Sequence, residues 1–354
     1  MFLHALATAT PPATFTQAQC WDIVQRSHVR ERLKKRSMLI MHTILRSDHG
    51  IGTRHFAVPN IEGVFDLTPD QLNTAFRTAA PELAGRALRA ALEKAGLRVE
   101  QVDALLVCTC TGYLCPGVTS YVAEQLGLRT NVFLQDLVGL GCGAAIPMLR
   151  AASHITAANP EAVVACVAVE VCSAAFYLDD DPGVIISACL FSDGAAASIW
   201  RGTPPAGSPA LRAFGFNTVH LPEHRDKLRF EQRDGKLRNL LHRSVPELAA
   251  GAVAKLWSER GERPVAQVVS HSGGRDVLEA LAPVVAPYPL ATATQVLHDY
   301  GNMSSPSVLF ALDQALADRA SAKEGTGAER EGDLWLVSFG AGFSAHSCRI
   351  GVKE

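Results

Sequence analysis

Charge is scarce in this chain. Only 19% of its 354 residues are Asp, Glu, Lys or Arg, 48% are hydrophobic, and the formal net charge is −2. Proteins that hold nucleic acid by its phosphates carry a basic excess, so the balance argues against that class. No uninterrupted apolar run reaches the ~20 residues that a membrane-spanning helix needs. The opening stretch MFLHALATATPPATF has no positively charged start, and Pro11-Pro12 break its short apolar run, so it does not read as a secretory leader. A disulfide framework is missing as well. The nine cysteines are an odd number, and several lie in apolar stretches such as Val163–Val171, where Cys behaves as a small hydrophobe. A reducing cytoplasm fits that usage. Cys108, Cys110 and Cys115 lack the C-x2-C spacing of a zinc knuckle and have no nearby His, so no metal is expected.

What is present is a long, apolar chain with room for two cores, or for one duplicated α/β unit. Apolar residues at helical spacing predict a helix over Pro81–Ala95, stopped by Gly96, and another over Val118–Leu126, closed by Gly127. Short apolar runs predict strands at Val102–Cys108, Asn131–Leu134, Glu161–Val171 and Ala195–Trp200. The theme returns further on. Helices are predicted at Val245–Trp257, Arg275–Leu281 and Ser304–Ala317, and strands at Val265–Ser270 and Leu334–Phe339. Alternating strands and helices favour an α/β fold with buried sheets. Gly202–Pro209 (GTPPAGSP) reads as the linker, dividing the chain into 1–203 and 204–354. Ser321–Gly332 is polar and reads as a mobile loop. Arg26–Arg36 holds six Lys or Arg against one Glu, a pattern of a solvated helix face that could also help hold an anion.

Three local features could carry chemistry. In Gly139-Leu-Gly-Cys142-Gly-Ala-Ala, a cysteine sits in a glycine-rich turn that opens a helix through about Ile155. The unpaired amides and positive dipole end there favour a thiolate. In Ser270-His271-Ser-Gly-Gly274, a histidine follows a strand end, where ligands bind in α/β sheets. In Gly301-Asn302-Met-Ser304, an asparagine precedes a helix. Each has an ordinary alternative: a packed small residue, a structural His, a helix cap. Taken together, Cys, His and Asn in this order suit two chemistries. Papain-like proteases use them for acyl transfer to water, with Asn orienting His. Condensing enzymes load an acyl group on the thiolate and use His and Asn as donors to an enolate oxygen. The chain lacks the cysteine signature of papain-like enzymes, and its Cys lies mid-chain, so condensation is the better reading.

At this point the motifs resemble those of the chalcone synthase-type (type III) polyketide synthases over nearly the whole chain. ATATPPA (Ala7–Ala13) resembles that family's first strand and turn, and VCTCTGYLCPG (Val107–Gly117) its cavity-lining segment. GLGCGAA, LFSDGAAA, SHSGG, YGNMSS and FGAGF resemble its nucleophile, gate, histidine, asparagine and glycine-rich segments. The resemblance implies an α/β, thiolase-like fold of two pseudo-duplicated halves in a five-layered αβαβα core. It implies a homodimer with no bound cofactor or metal, taking an acyl-coenzyme A starter and malonyl-coenzyme A as substrates. Cys142 would be the nucleophile, Phe191 a gatekeeper, and His271 and Asn302 the partners that stabilise the enolate. Cys110, Thr111, Cys115, Cys172, Ala175, Phe230, Asn239 and Ser304 would line the cavity. Arg46, Arg54 and Gly274 would hold coenzyme A.

Departures from the plant members bear on specificity. Ala341 stands where the family's glycine-rich loop carries Pro, Asn239 where plants have a second gatekeeping Phe, and Phe230 where they have Gly. Cys110, Cys172 and Ala175 replace threonines and make the lining more apolar. That leans toward a bacterial-type enzyme using an aliphatic starter or malonyl alone. A ketoacyl-carrier-protein synthase III would show His-Gln-Ala-Asn where this chain has His271-Ser-Gly-Gly. A non-catalytic thiolase-fold subunit would not need an intact Cys142, His271 and Asn302.

Overall fold

The computed structural model describes residues 1–207, 210–321 and 331–352. The N-terminal half supplies β1 (Phe2–Ala9), β2 (Thr14–Thr16), β3 (Thr53–His55), β4 (Ala104–Cys108), β5 (Phe133–Leu137), β6 (Val164–Glu170) and β7 (Gly194–Arg201). The C-terminal half supplies β8 (Leu211–His220), β9 (Leu228–Arg233), β10 (Lys236–Leu241), β11 (Val265–Ser270), β12 (Asp333–Gly340) and β13 (Ser344–Val352). The helices in chain order are α1 (Gln17–Arg26), α2 (Val29–Arg32), α3 (Lys35–Arg46), α4 (Pro69–Ala95), α5 (Val118–Leu126) and α6 (Ala145–Ala158). They continue with α7 (Pro182–Leu190), α8 (Val245–Ser258), α9 (Arg275–Leu281), α10 (Ala291–Tyr300) and α11 (Ser307–Ser321).

Nine strands run in the order β11-β12-β13-β8-β1-β7-β6-β4-β5. Read outward from the centre, the two sides repeat. From β1 the pairings are antiparallel to β7, antiparallel to β6, then parallel to β4. From β8 they are antiparallel to β13, antiparallel to β12, then parallel to β11. The sides meet through one register pair, Phe2 with Arg212. The duplication is therefore one of topology, without sequence identity between the halves.

Alternation along the strands separates three cores. On β4, Leu105 and Val107 join a core with α4, while Ala104, Leu106 and Cys108 join one shared with α6 and α11. On β12, Leu334 and Leu336 face that shared core, and Trp335, Val337 and Phe339 face a third with α8. Side chains that alternate at period two between two apolar layers require helices on both faces. The layers are thus helix, sheet, helix, sheet, helix.

Sequence and structure agree on α5, α9 and β11 to the residue. The helix expected from Pro81 instead begins at Pro69, with a Thr68–Gln71 capping box, and runs straight through Pro81. An interior Pro costs about 3 kcal/mol. Burial of Leu72, Phe76, Ala80 and Leu83 on the sheet offsets that cost. The strand expected at Asn131–Leu134 is displaced to Phe133–Leu137, because pairing with β4 sets its register. The linker Gly202–Pro209 falls between β7 and β8, with 208 and 209 outside the described residues. Of the loop expected at Ser321–Gly332, residues 322–330 lie outside the described residues. Three members of the basic run form ion pairs: Arg26 with Glu62, Arg32 with Asp66 and Lys34 with Asp180. Among the described residues, no helix is long and apolar enough to cross a membrane.

Candidate active site

Cys142 lies on a single 3-10 turn, Gly141–Gly143, between β5 and α6. The turn rests on the end of β12. A Cβ at Gly340 would lie 2.5 Å from the Gly143 nitrogen and 2.9 Å from that of Cys142, so only glycine lets the two backbones meet. Ser338 fixes the contact by donating from Oγ to the Gly143 carbonyl at 3.0 Å. His271 follows the last residue of β11, and its backbone N–H extends the ladder to the Val337 carbonyl at 2.9 Å. Its ring stands edge-on to Phe339, 5.2 Å between centroids. Asn302 follows α10. Its Nδ2 donates to the Gly273 carbonyl at 3.1 Å, and its Oδ1 accepts from the Ser304 N–H at 2.8 Å. One amide hydrogen of Asn302 is left for a ligand.

The three side chains, carried by widely separated segments, line one cavity of about 280 Å³ together with Phe191, Phe339, Gly273 and Gly274. Phe191 also lines a second, inner chamber of about 20 Å³. That chamber is bounded by Thr111, Cys172, Ala175, Phe230, Asn239 and Ser304 among others, with Phe191 standing between the two spaces. Phe230 and Asn239 are cross-strand neighbours on the β9–β10 hairpin, which Arg238 staples internally to Glu231 and ties down through Asp179.

Electrostatics differ sharply around the two reacting groups. The Cys142 Sγ accepts from Ser304 Oγ at 3.2 Å. Behind Ser304, whose Oγ is 3.3 Å from it, lies Glu170, fully buried, whose carboxylate accepts from the Thr109, Cys110, Thr111 and Ser305 side chains. Burial raises Glu170 above the usual carboxylate range, and those donors pull it back down. Burial pushes the Cys142 thiol up to about 12, with the Ser304 hydroxyl opposing. His271 has no such support. Its Nδ1 is buried without a hydrogen-bond partner, and desolvation lowers the imidazole to about 3. Burial therefore favours the neutral thiol of Cys142 and the neutral imidazole of His271.

Several expected residues lie elsewhere. Cys115 is exposed and lines neither space, and Cys110 reaches the site only through Ser304, 3.3 Å from its Sγ. Arg46 is exposed at the end of α3 and is not in the cavity wall. Arg54 must be corrected: its guanidinium is buried, and Nη1 donates to the carbonyls of Ala188 and Phe191, so it is not free for a phosphate. The cations at the cavity mouth are Arg243 and Arg275, with His49 and His242 nearby. Sequence reasoning missed both arginines, and it missed Glu170. The one signal for Glu170 was a charged residue ending an otherwise apolar strand run.

Fold and site together define a thiolase-type condensing enzyme. The profile of chalcone and stilbene synthases, N-terminal domain, matches residues 1–205, and that of their C-terminal domain matches 220–350. The chain belongs to the chalcone and stilbene synthase family, the type III polyketide synthases, which are acyltransferases. It is 29% identical over 253 residues to a 3,5-dihydroxyphenylacetyl-CoA synthase of Streptomyces toyocaensis, covering 68% of this chain and 65% of that protein. It is 28% identical over 361 residues to a 1,3,6,8-tetrahydroxynaphthalene synthase of Streptomyces peucetius subsp. caesius, covering 96% and 90%. Its fold matches the crystal structure of PKS-I from the brown alga Ectocarpus siliculosus with a TM-score of 0.89 at 24% identity, covering 99% and 98% of the two chains.

Proposed function

We propose that this chain condenses malonyl-coenzyme A units onto an acyl group carried by Cys142. The observation that carries the reading is the convergence of Cys142, His271 and Asn302 on one cavity with a basic mouth and an aromatic gate. The Cys142 sulfur, once deprotonated by His271, attacks the starter thioester, and coenzyme A leaves with a proton. Malonyl-coenzyme A then loses carbon dioxide, the bonding pair passing into an enolate whose oxygen takes hydrogen bonds from His271 and the free Asn302 amide hydrogen. The enolate carbon attacks the Cys142 thioester. Collapse of that adduct releases the thiolate and a chain two carbons longer on coenzyme A. Repetition and cyclisation give a pyrone, resorcinol or phloroglucinol-type ring.

An inner chamber of about 20 Å³ holds roughly one water molecule. That supports a small starter, malonyl itself or a short aliphatic acyl group, and few extensions. Arg243 replaces Arg46 and Arg54 as our first candidate for the coenzyme A phosphates, followed by Arg275, which also pairs with Asp276 and Glu279, with Gly274 in the same wall. No metal or further cofactor takes part in this reading. Tyr113, 71% exposed, and Phe133, 54% exposed on the β5 edge, support a homodimer through that edge. Nine free cysteines support a cytoplasmic setting. The halves divide at the β7–β8 connection, 1–203 and 204–354.

Incubation with labelled malonyl-coenzyme A and a panel of acyl-coenzyme A starters tests the reading. Carbon dioxide release and a cyclised product by mass spectrometry are expected. No release with any starter, or a strict demand for an acyl carrier protein, would overturn it, the latter in favour of a ketoacyl synthase III activity.

A further inference from the structure

We infer that Arg54 is a positioning residue that holds Phe191 and Asn302 in register, an inference that rests on the decarboxylation role proposed for Asn302. Arg54 is only 3% exposed. A buried guanidinium ordinarily sits against a carboxylate. This one instead donates from Nη1 to the Ala188 carbonyl at 2.7 Å and the Phe191 carbonyl at 3.1 Å, lies over the Phe56 ring, and leaves Nε without a partner.

Those carbonyls belong to the end of α7, where four carbonyls lose their helical partners and the dipole end is negative. Each finds a specific donor. Beyond the last helical bond, from the Phe191 N–H to the Ser187 carbonyl, Ala188 and Phe191 accept from Arg54, Cys189 from Gln17 Nε2 at 3.1 Å, and Leu190 from the Asn302 N–H at 3.0 Å. Asn302 returns a bond by accepting from the Ser192 N–H at 2.9 Å, so it brackets Phe191. On its other side the Arg54 stem presses on Gly301. A Cβ there would lie 3.0 Å from Arg54 Cγ, a tight approach, and the backbone has φ +71°, which calls for glycine. One buried cation thus touches the carbonyl of the gate and the residue before the catalytic amide.

An apolar side chain could fill this space without desolvating a charge, so stability alone does not explain an arginine. A planar cation joined to two carbonyls fixes geometry. Loosening it lets the end of α7 move and carries Phe191 and Asn302 with it. The backbone of the Cys142 turn is held separately, by Gly340 and Ser338 of β12, and only its sulfur meets the Asn302 segment, through Ser304.

The test compares wild type, Arg54→Met and Arg54→Lys. It measures carbon dioxide release from malonyl-coenzyme A, starter loading on Cys142 by intact-protein mass, and thermal unfolding. Arg54→Met is expected to load starter at close to the wild-type rate and to release carbon dioxide on the order of 10-fold more slowly or worse. Arg54→Lys, which keeps a cation at the helix end, should recover part of that loss. Equal carbon dioxide release by Arg54→Met and wild type would overturn the inference. So would loading and release falling by one common factor along with the melting temperature, because the residue would then be merely structural. A wild type that loads starter yet releases no carbon dioxide overturns the proposed function and this inference with it.

Discussion

The two spaces on either side of Phe191 are built on different principles. The outer cavity, about 280 Å³, is walled by segments from both halves and brings nucleophile, imidazole and amide together. The inner chamber, about 20 Å³, is walled by Phe230, Asn239, Cys172 and Ala175, none of which the proposed condensation uses chemically. Its roof is a two-strand hairpin outside the main sheet, anchored by Arg238. Reaction type therefore resides in rigid strand ends and turns, and product identity in a hairpin that can vary without disturbing them.

Substitutions can break that division. Cys142→Ala should abolish starter loading and lower condensation on the order of 10⁴-fold or more, while some decarboxylation persists, as intact-protein mass and carbon dioxide trapping would show. His271→Ala or Asn302→Ala should lower decarboxylation by about 10²–10³-fold through loss of a donor to the enolate oxygen. On the chamber side, Phe230→Gly should leave decarboxylation near wild type and shift products to longer chains by mass spectrometry. A large loss of decarboxylation in that variant would erase the distinction between the two spaces.

Smaller effects sharpen it. Arg243→Ala and Arg275→Ala should each raise KM for malonyl-coenzyme A by about 5-fold with little change in kcat, the difference shrinking as salt rises. The least effect expected concerns acid stability. The unfolded chain protonates His271 near 6.5 and the folded chain only near 3, so in that window the unfolded state binds more protons. Stability falls as pH drops through it. His271→Gln should therefore lose less melting temperature than wild type between pH 6.5 and pH 4.

Much of this was legible in the residues, and the exceptions share a cause. Cys142, His271 and Asn302 announce themselves because glycines and caps mark the turns that carry them. β11 and α9 are clear because apolar spacing and Gly274 bound them. β13 reads as polar, SAHSCRIGV, yet Ser344, His346, Ser347 and Arg349 are buried, because β8 and β12 flank it on both sides. Arg349 survives there by pairing with Asp333 at 2.9 Å. Glu170 and Arg54 were likewise hidden: a buried charge is defined by partners far away in sequence, and no local spacing encodes them. Arg243 and Arg275 were missed for the same reason, since a cavity mouth exists only after the halves have met.

The bond from Ser338 to the carbonyl of Gly143 has a consequence for inheritance. A duplicated fold invites the expectation of spare parts, one copy covering for damage in the other. Here the second copy serves as the anvil on which the first copy's nucleophile rests, and it also supplies the His271 imidazole and Asn302 amide that face that nucleophile's cavity. After divergence the repeat holds no redundancy, and a lesion in either half is felt at full strength.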